Sequence, residues 1–68
     1  MLKVQVGPRK VVYVETERDK KGVFCSFYAD CTHENHLGDR YVHVLSNVPQ
    51  KSVNSAIIDT TKCYFGYR

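Results

Sequence analysis

Tryptophan is absent, methionine occurs once, alanine twice and leucine only three times among 68 residues. The side chains that most favour helices are scarce, which argues against a helical bundle. Long apolar runs are missing too. The longest stretch free of Lys, Arg, Asp and Glu covers residues 41–50, and His43, Ser46 and Asn47 interrupt it. That pattern excludes a membrane-spanning helix and a secretory leader. Gly7, Gly22, Gly38 and Gly66 are isolated from one another, so no phosphate-cradling glycine loop exists. Cysteine occurs three times, at Cys25, Cys31 and Cys63. An odd count fits poorly with a secreted disulfide framework and points to a reducing, cytoplasmic setting.

At 7.8 kDa the chain is expected to form one small domain over residues 1–68. A chain this short buries about 60% of the surface its unfolded form exposes, so the core is thin. The enclosed cleft that most enzymes need does not fit inside it. The net charge of +3 is modest. Around residues 15–21 opposite charges nearly cancel. The surplus resides in Lys3, Arg9 and Lys10 near the start and in Lys51, Lys62 and Arg68 near the end. If the two termini are neighbours, these six form one basic patch.

What is abundant is β-branched and aromatic. Ten valines, two isoleucines and four threonines, joined by five tyrosines and three phenylalanines, favour pleated surfaces. Leu2, Val4 and Val6 alternate with Lys3 and Gln5, which predicts a first strand with one buried face. Gly7-Pro8 ends it. A second strand spans Lys10 to Thr16 with Val12 and Val14 inward, and a polar connection follows from Arg18 to Gly22. A third strand spans Val23 to Asp30, with Val23, Cys25, Phe27 and Ala29 on the core side. Cys31 to Arg40 lacks periodicity and reads as a long loop. Tyr41 to Ser46 reads as a fourth strand, Asn47 to Gln50 as a turn with Asn47 as a cap for one short helical turn, and Lys62 to Arg68 as a fifth strand. Ala56 to Ile58 is an apolar stub of ambiguous type. The expected fold is all-β: a small five-stranded antiparallel sheet or a partly closed SH3-like or OB-like barrel, with at most one short helical turn.

Strict alternation turns Tyr13, Tyr28, Tyr41 and Tyr64 outward together. Tyrosine offers large contact area with few rotatable bonds, so this face suits a protein partner. The same rings could stack on bases, with Lys10, Lys62 and Arg68 meeting phosphates. A third alternative is that the rings merely cover the ends of a thin core.

The segment Cys25 to His36 supplies zinc-ligand types, with Cys31, His33, His36 and Cys63 as the candidate set. The spacing is poor: five residues separate Cys25 from Cys31 and two separate His33 from His36. His33-Glu34-Asn35-His36 is one residue too short for a helical metalloprotease motif. A Cys31 nucleophile would lie open to water in so small a domain. The expectation is therefore a non-enzymatic binding module without cofactor. It would be a regulatory inhibitor or adaptor for another protein, with single-stranded RNA or DNA as the alternative ligand and a zinc-stabilised mini-domain behind that. The exposed Leu2–Val6 edge leaves monomer and edge-paired homodimer both open.

Overall fold

The structure, a computed structural model, describes the backbone of residues 1–42 and 50–66, with side chains over 1–40 and 52–66. Four antiparallel strands follow one another as β1 (Leu2–Gly7), β2 (Lys10–Asp19), β3 (Gly22–Tyr28) and β4 (His36–Val42). A helix, α1 (Gln50–Phe65), completes the chain. The sheet order is β1-β2-β3-β4, a meander in which sequence neighbours are sheet neighbours.

Short turns set the register. Gly7 pairs with Lys10 across Pro8-Arg9, where proline's fixed φ suits the first central position of a turn. Asp19 pairs with Gly22 across Lys20-Lys21. The Asp19 carboxylate accepts hydrogen bonds from the backbone N–H groups of Lys21 (2.6 Å) and Gly22 (3.1 Å). Gly22 has φ of 143°, a conformation that L side chains rarely adopt, so glycine is required there.

Alternation then sorts the side chains. Val4 and Val6 on β1, Val12 and Val14 on β2, and Val23, Cys25 and Phe27 on β3 lie on one face and are buried. They assemble the core predicted from the period-two pattern, with Val53 and Ile57 of α1 laid over them. Leu2, Ile58 and Phe65 seal its margins. Phe65 meets Phe27 with ring centroids 5.2 Å apart at a tilted angle favoured by aromatic pairs. A helix lying on one side of a sheet is a two-layer arrangement, consistent with overall dimensions of 35 × 24 × 16 Å.

Several expectations need correction: β2 runs on to Asp19, and β3 ends at Tyr28, so Ala29, expected on the core side, is exposed. Among the described residues the sheet is open and has four strands, so neither the barrel nor the fifth strand is found there. Cys31 to Arg40 is not all loop, because β4 begins at His36; Val42 is its last residue, and the remainder of the expected 41–46 strand lies outside the described residues. The Asn47 cap lies outside them as well. Finally, Lys62 to Phe65 form the last turn of a helix of 16 residues rather than a strand, and the Ala56–Ile58 stub is its middle. Val53, Ile57 and Thr61 recur every four residues and so share one helix face, which the valine face of the sheet needs as its cover. Thr61 is fully buried, and its hydroxyl donates to the Ile57 carbonyl at 2.8 Å, so the polar group is satisfied. Gly66 follows the helix. A Cβ there would lie 2.1 Å from the Lys62 carbonyl oxygen, so a side chain at this stop would force the backbone to move. No helix among the described residues is long and apolar enough to cross a membrane.

Candidate functional site on the open face of the sheet

Because α1 covers one face of the sheet, the side chains of opposite parity face away from it. On β2 these are Val11, Tyr13, Glu15, Glu17 and Asp19, and on β3 Phe24, Ser26 and Tyr28. Antiparallel register places Tyr13 directly opposite Tyr28, Glu15 opposite Ser26 and Glu17 opposite Phe24. Lys3 of β1 stands opposite Tyr13, and Asp39 of β4 opposite Ser26. Directly opposed side chains lie close enough to act as one surface.

Tyr28, the last residue of β3, gathers the aromatic contacts of this face. The His33 ring lies against it at 4.5 Å between centroids and the His36 ring at 5.2 Å. His33 reaches the sheet from the β3–β4 connection, where its φ of 66° turns the chain back over the strands. Its Nδ1 lies 3.1 Å from the Glu15 carboxylate. On the other flank His36 Nε2 lies 3.1 Å from Asp39 Oδ1, which also accepts a 2.7 Å hydrogen bond from the Ser26 hydroxyl. These contacts hold the Asp39 carboxyl below the usual carboxylate range, the Ser26 hydroxyl first and the His36 ring second.

The connection itself is organised by Asp30. Its carboxylate accepts from the Thr32 hydroxyl, the Thr32 backbone N–H and the Asn35 side-chain amide, and these bonds lower its pKa in that order, the hydroxyl and the N–H ahead of Asn35. The Ala29 N–H closes the loop on the Asn35 carbonyl at 2.9 Å. Residues 29–35 thus form a tied loop that delivers His33 to the tyrosine face.

The expected site residues divide accordingly. Tyr13 and Tyr28 do come together. Tyr41 occupies the register position opposite Phe24 on β4; its side chain, like Arg68, lies outside the described residues. Tyr64 belongs to α1, beyond the other face of the sheet. It is 53% exposed, and the Arg40 guanidinium sits 4.0 Å over its ring. Arg40 stands at the register position opposite Cys25, on the helix-facing side of β4. Lys10 begins β2 with the parity of Val12 and Val14, and Lys62 is exposed on the last turn of α1. Neither adjoins the tyrosine pair.

The zinc candidates also separate. Cys31 is exposed in the loop, Cys63 is exposed on α1, and each histidine is engaged by its own carboxylate. Among the described residues no group of three or more His, Cys, Asp or Glu is placed to hold a metal ion. Cys25 is buried in the core, and burial pushes its thiol pKa up, so it acts as a small apolar side chain.

Alternation along the second strand places Glu15 beside Tyr13 on this face, whereas Glu17 and Asp39 were not foreseen as part of it. With these three and Asp19, the described strand positions of open-face parity carry one lysine, Lys3, against four carboxylates. The sign is opposite to that of the whole chain. The sequence signal was available in the alternation of β2, where Glu15 and Glu17 continue the Tyr13 parity. Comparison with protein-family profiles, with curated proteins and with solved structures found no match to this chain.

Proposed function

We propose that the protein is a non-enzymatic binding module, an inhibitor or adaptor that engages another protein through the open face of its sheet. The observation that carries this reading is the Tyr13–Tyr28 pair on a face that α1 leaves uncovered, with Phe24, 40% exposed, further along the same face beyond Glu15 and Ser26. Aromatic rings on a stiff sheet present contact area at little entropic cost, and tyrosines of this kind are enriched among residues that dominate binding energy. Glu15, Glu17 and Asp39 around the rings define the partner's chemistry: an apolar patch bearing arginine or lysine. Arginine suits such a surface because it stacks on aromatic rings while pairing with carboxylates.

Single-stranded nucleic acid is the alternative ligand. Its support is weaker because the open face carries an excess of carboxylates, and Lys10 and Lys62 stand apart from the tyrosines. Affinity capture with the wild-type chain and with Tyr28→Ala as paired baits tests the proposal. The captured partner should then be titrated against both purified baits. Tyr28→Ala should weaken binding by about 2 kcal/mol or more, at an unchanged circular dichroism spectrum. The partner should protect the amides of residues 13–17 and 24–28 from hydrogen exchange. Equal binding by Tyr28→Ala would overturn the proposal. So would tight, steeply salt-dependent binding to mixed single-stranded oligonucleotides instead.

A further inference from the structure

The open sheet has two outer edges, and they are built differently. At β4 the register with β3 slips between Phe27 and Tyr28, leaving Leu37 as an extra residue. The same strand places charged Arg40 on its helix-facing side, opposite Cys25. A bulge and an inward-pointing charge are two devices by which proteins keep an edge from pairing with another chain. β1 has neither over Leu2–Gln5, where its register against β2 is regular. Among the described residues, no strand pairs with its outer edge.

The β1 sequence is also self-complementary. In an antiparallel pair of two copies, residues must meet others of the same parity, or apolar side chains would face the wrong side. The register centred on Val4 satisfies this, keeps its three central pairs within the regular run and meets the irregularity at Val6 only in its outermost pairs. Val4 meets Val4, Leu2 meets Val6, and Lys3 of one protomer meets Gln5 of the other. No like charges oppose one another. Centring on Lys3 would set two ammonium groups face to face, and centring on Gln5 would bring Val6 and Gly7, the irregular part of the strand, immediately beside the axis. The Gln5 side-chain N–H is already directed to the Gly7 carbonyl at 3.2 Å, which leaves its amide oxygen to accept from a lysine.

We infer that two copies of this chain pair through β1 in the Val4-centred register, giving a continuous eight-stranded sheet with both helices on one face. The two-fold axis passes between the Val4 residues, perpendicular to the sheet, and the interface is isologous. The two open faces become one, with Lys3 and Gln5 of each protomer along the seam between the tyrosine pairs. The inference is independent of what that face binds.

Sedimentation velocity of the full chain from about 10 µM to about 1 mM tests it, because the association is concentration-dependent. The mass should rise from 7.8 kDa toward twice that value. Gln5→Lys sets lysine against Lys3 twice across the axis and should weaken the dimer about tenfold or more, with the melting curve of the dilute monomer unchanged. The double variant Lys3→Glu/Gln5→Lys restores opposite charges across the seam and should recover the dimer. β1 amides should gain hydrogen-exchange protection with concentration in the wild type and the double variant. A wild-type chain that stays monomeric throughout would overturn the inference. A dimer that survives Gln5→Lys undiminished would do so too.

Discussion

Asp30 illustrates how much local order one short carboxylate can impose. Three donors converge on it, and the loop they tie carries His33 onto Tyr28. Both Asp30 and Asp39 are held below the usual carboxylate range by hydrogen bonds made in the folded state. Such groups stabilise the fold in full above their unfolded-state pKa, and the contribution is lost as pH falls through the lower folded value. The loop should therefore stay ordered at neutral pH and loosen only below about pH 4, the range of an unperturbed aspartate. Nuclear magnetic resonance shifts of the Ala29 and Thr32 amides, followed with pH, report it directly. Asp30→Asn should produce the loosened state already at pH 7. Thr61 behaves in the opposite sense. Its hydroxyl is buried, yet it bonds only to the Ile57 carbonyl four residues back, an oxygen at the position that a regular helix also pairs with its own N–H. Thr61→Val preserves the shape and removes donor and hydroxyl together. Its melting temperature should stay within the shift that corresponds to about 1 kcal/mol, whereas Thr61→Ala, which also opens a gap in the core, should cost more.

At the scale of elements, legibility followed periodicity. Strands β1 to β3 were readable because Val4, Val6, Val12, Val14, Val23 and Phe27 alternate with polar neighbours, and all six are buried as expected. β4 was displaced toward the C-terminus because His36–Val42 contains a glycine, a bulge and two charged residues, and a bulge erases period-two alternation. The helix was missed for a different reason. Val53, Ile57, Ile58, Thr60 and Thr61 are β-branched, and Cys63, Phe65 and Tyr67 also alternate, so composition and a short window both favour a strand. The four-residue spacing of Val53, Ile57 and Thr61 was the contrary signal, masked because the third member is a threonine. With weak intrinsic propensity, α1 depends on docking to the valine face rather than on its own stability. Ile57→Ala should accordingly cost about 2–5 kcal/mol in chemical denaturation and melt the helix with the sheet in one transition. By contrast, Tyr64→Ala removes an exposed cation–π contact with Arg40 and a ring pair with Phe65 at 6.3 Å, and should cost about 1 kcal/mol.

The whole molecule is asymmetric in a way that net charge conceals. A chain of charge +3 presents an open sheet face on which carboxylates outnumber lysine, while Arg9, Lys20 and Lys21 occupy or adjoin the turns at the sheet's ends. Of the candidate site, the Tyr13–Tyr28 pair was legible from alternation. The placement of Tyr64 and Lys62 was not, because it depended on the type of the last element. That element also decides whether the sheet exists at all. Two layers are the minimum that hides an apolar face from water, and here the second layer is one helix. Without it Val4, Val6, Val12, Val14, Val23 and Phe27 would form a contiguous exposed sheet surface, beside the outer edges of β1 and β4 that no strand among the described residues pairs with. Such a surface on a soluble chain is an aggregation site rather than a stable fold. Truncation after residue 49 should therefore abolish the dispersed amide spectrum and yield aggregates. Adding a synthetic 50–68 peptide in excess should recover part of the native spectrum, since the helix contributes its face rather than its connection. A truncated chain that remained monomeric with a native-like spectrum would show that the strands hold one another without their cover, contrary to the dependence argued from Val53, Ile57 and Phe65.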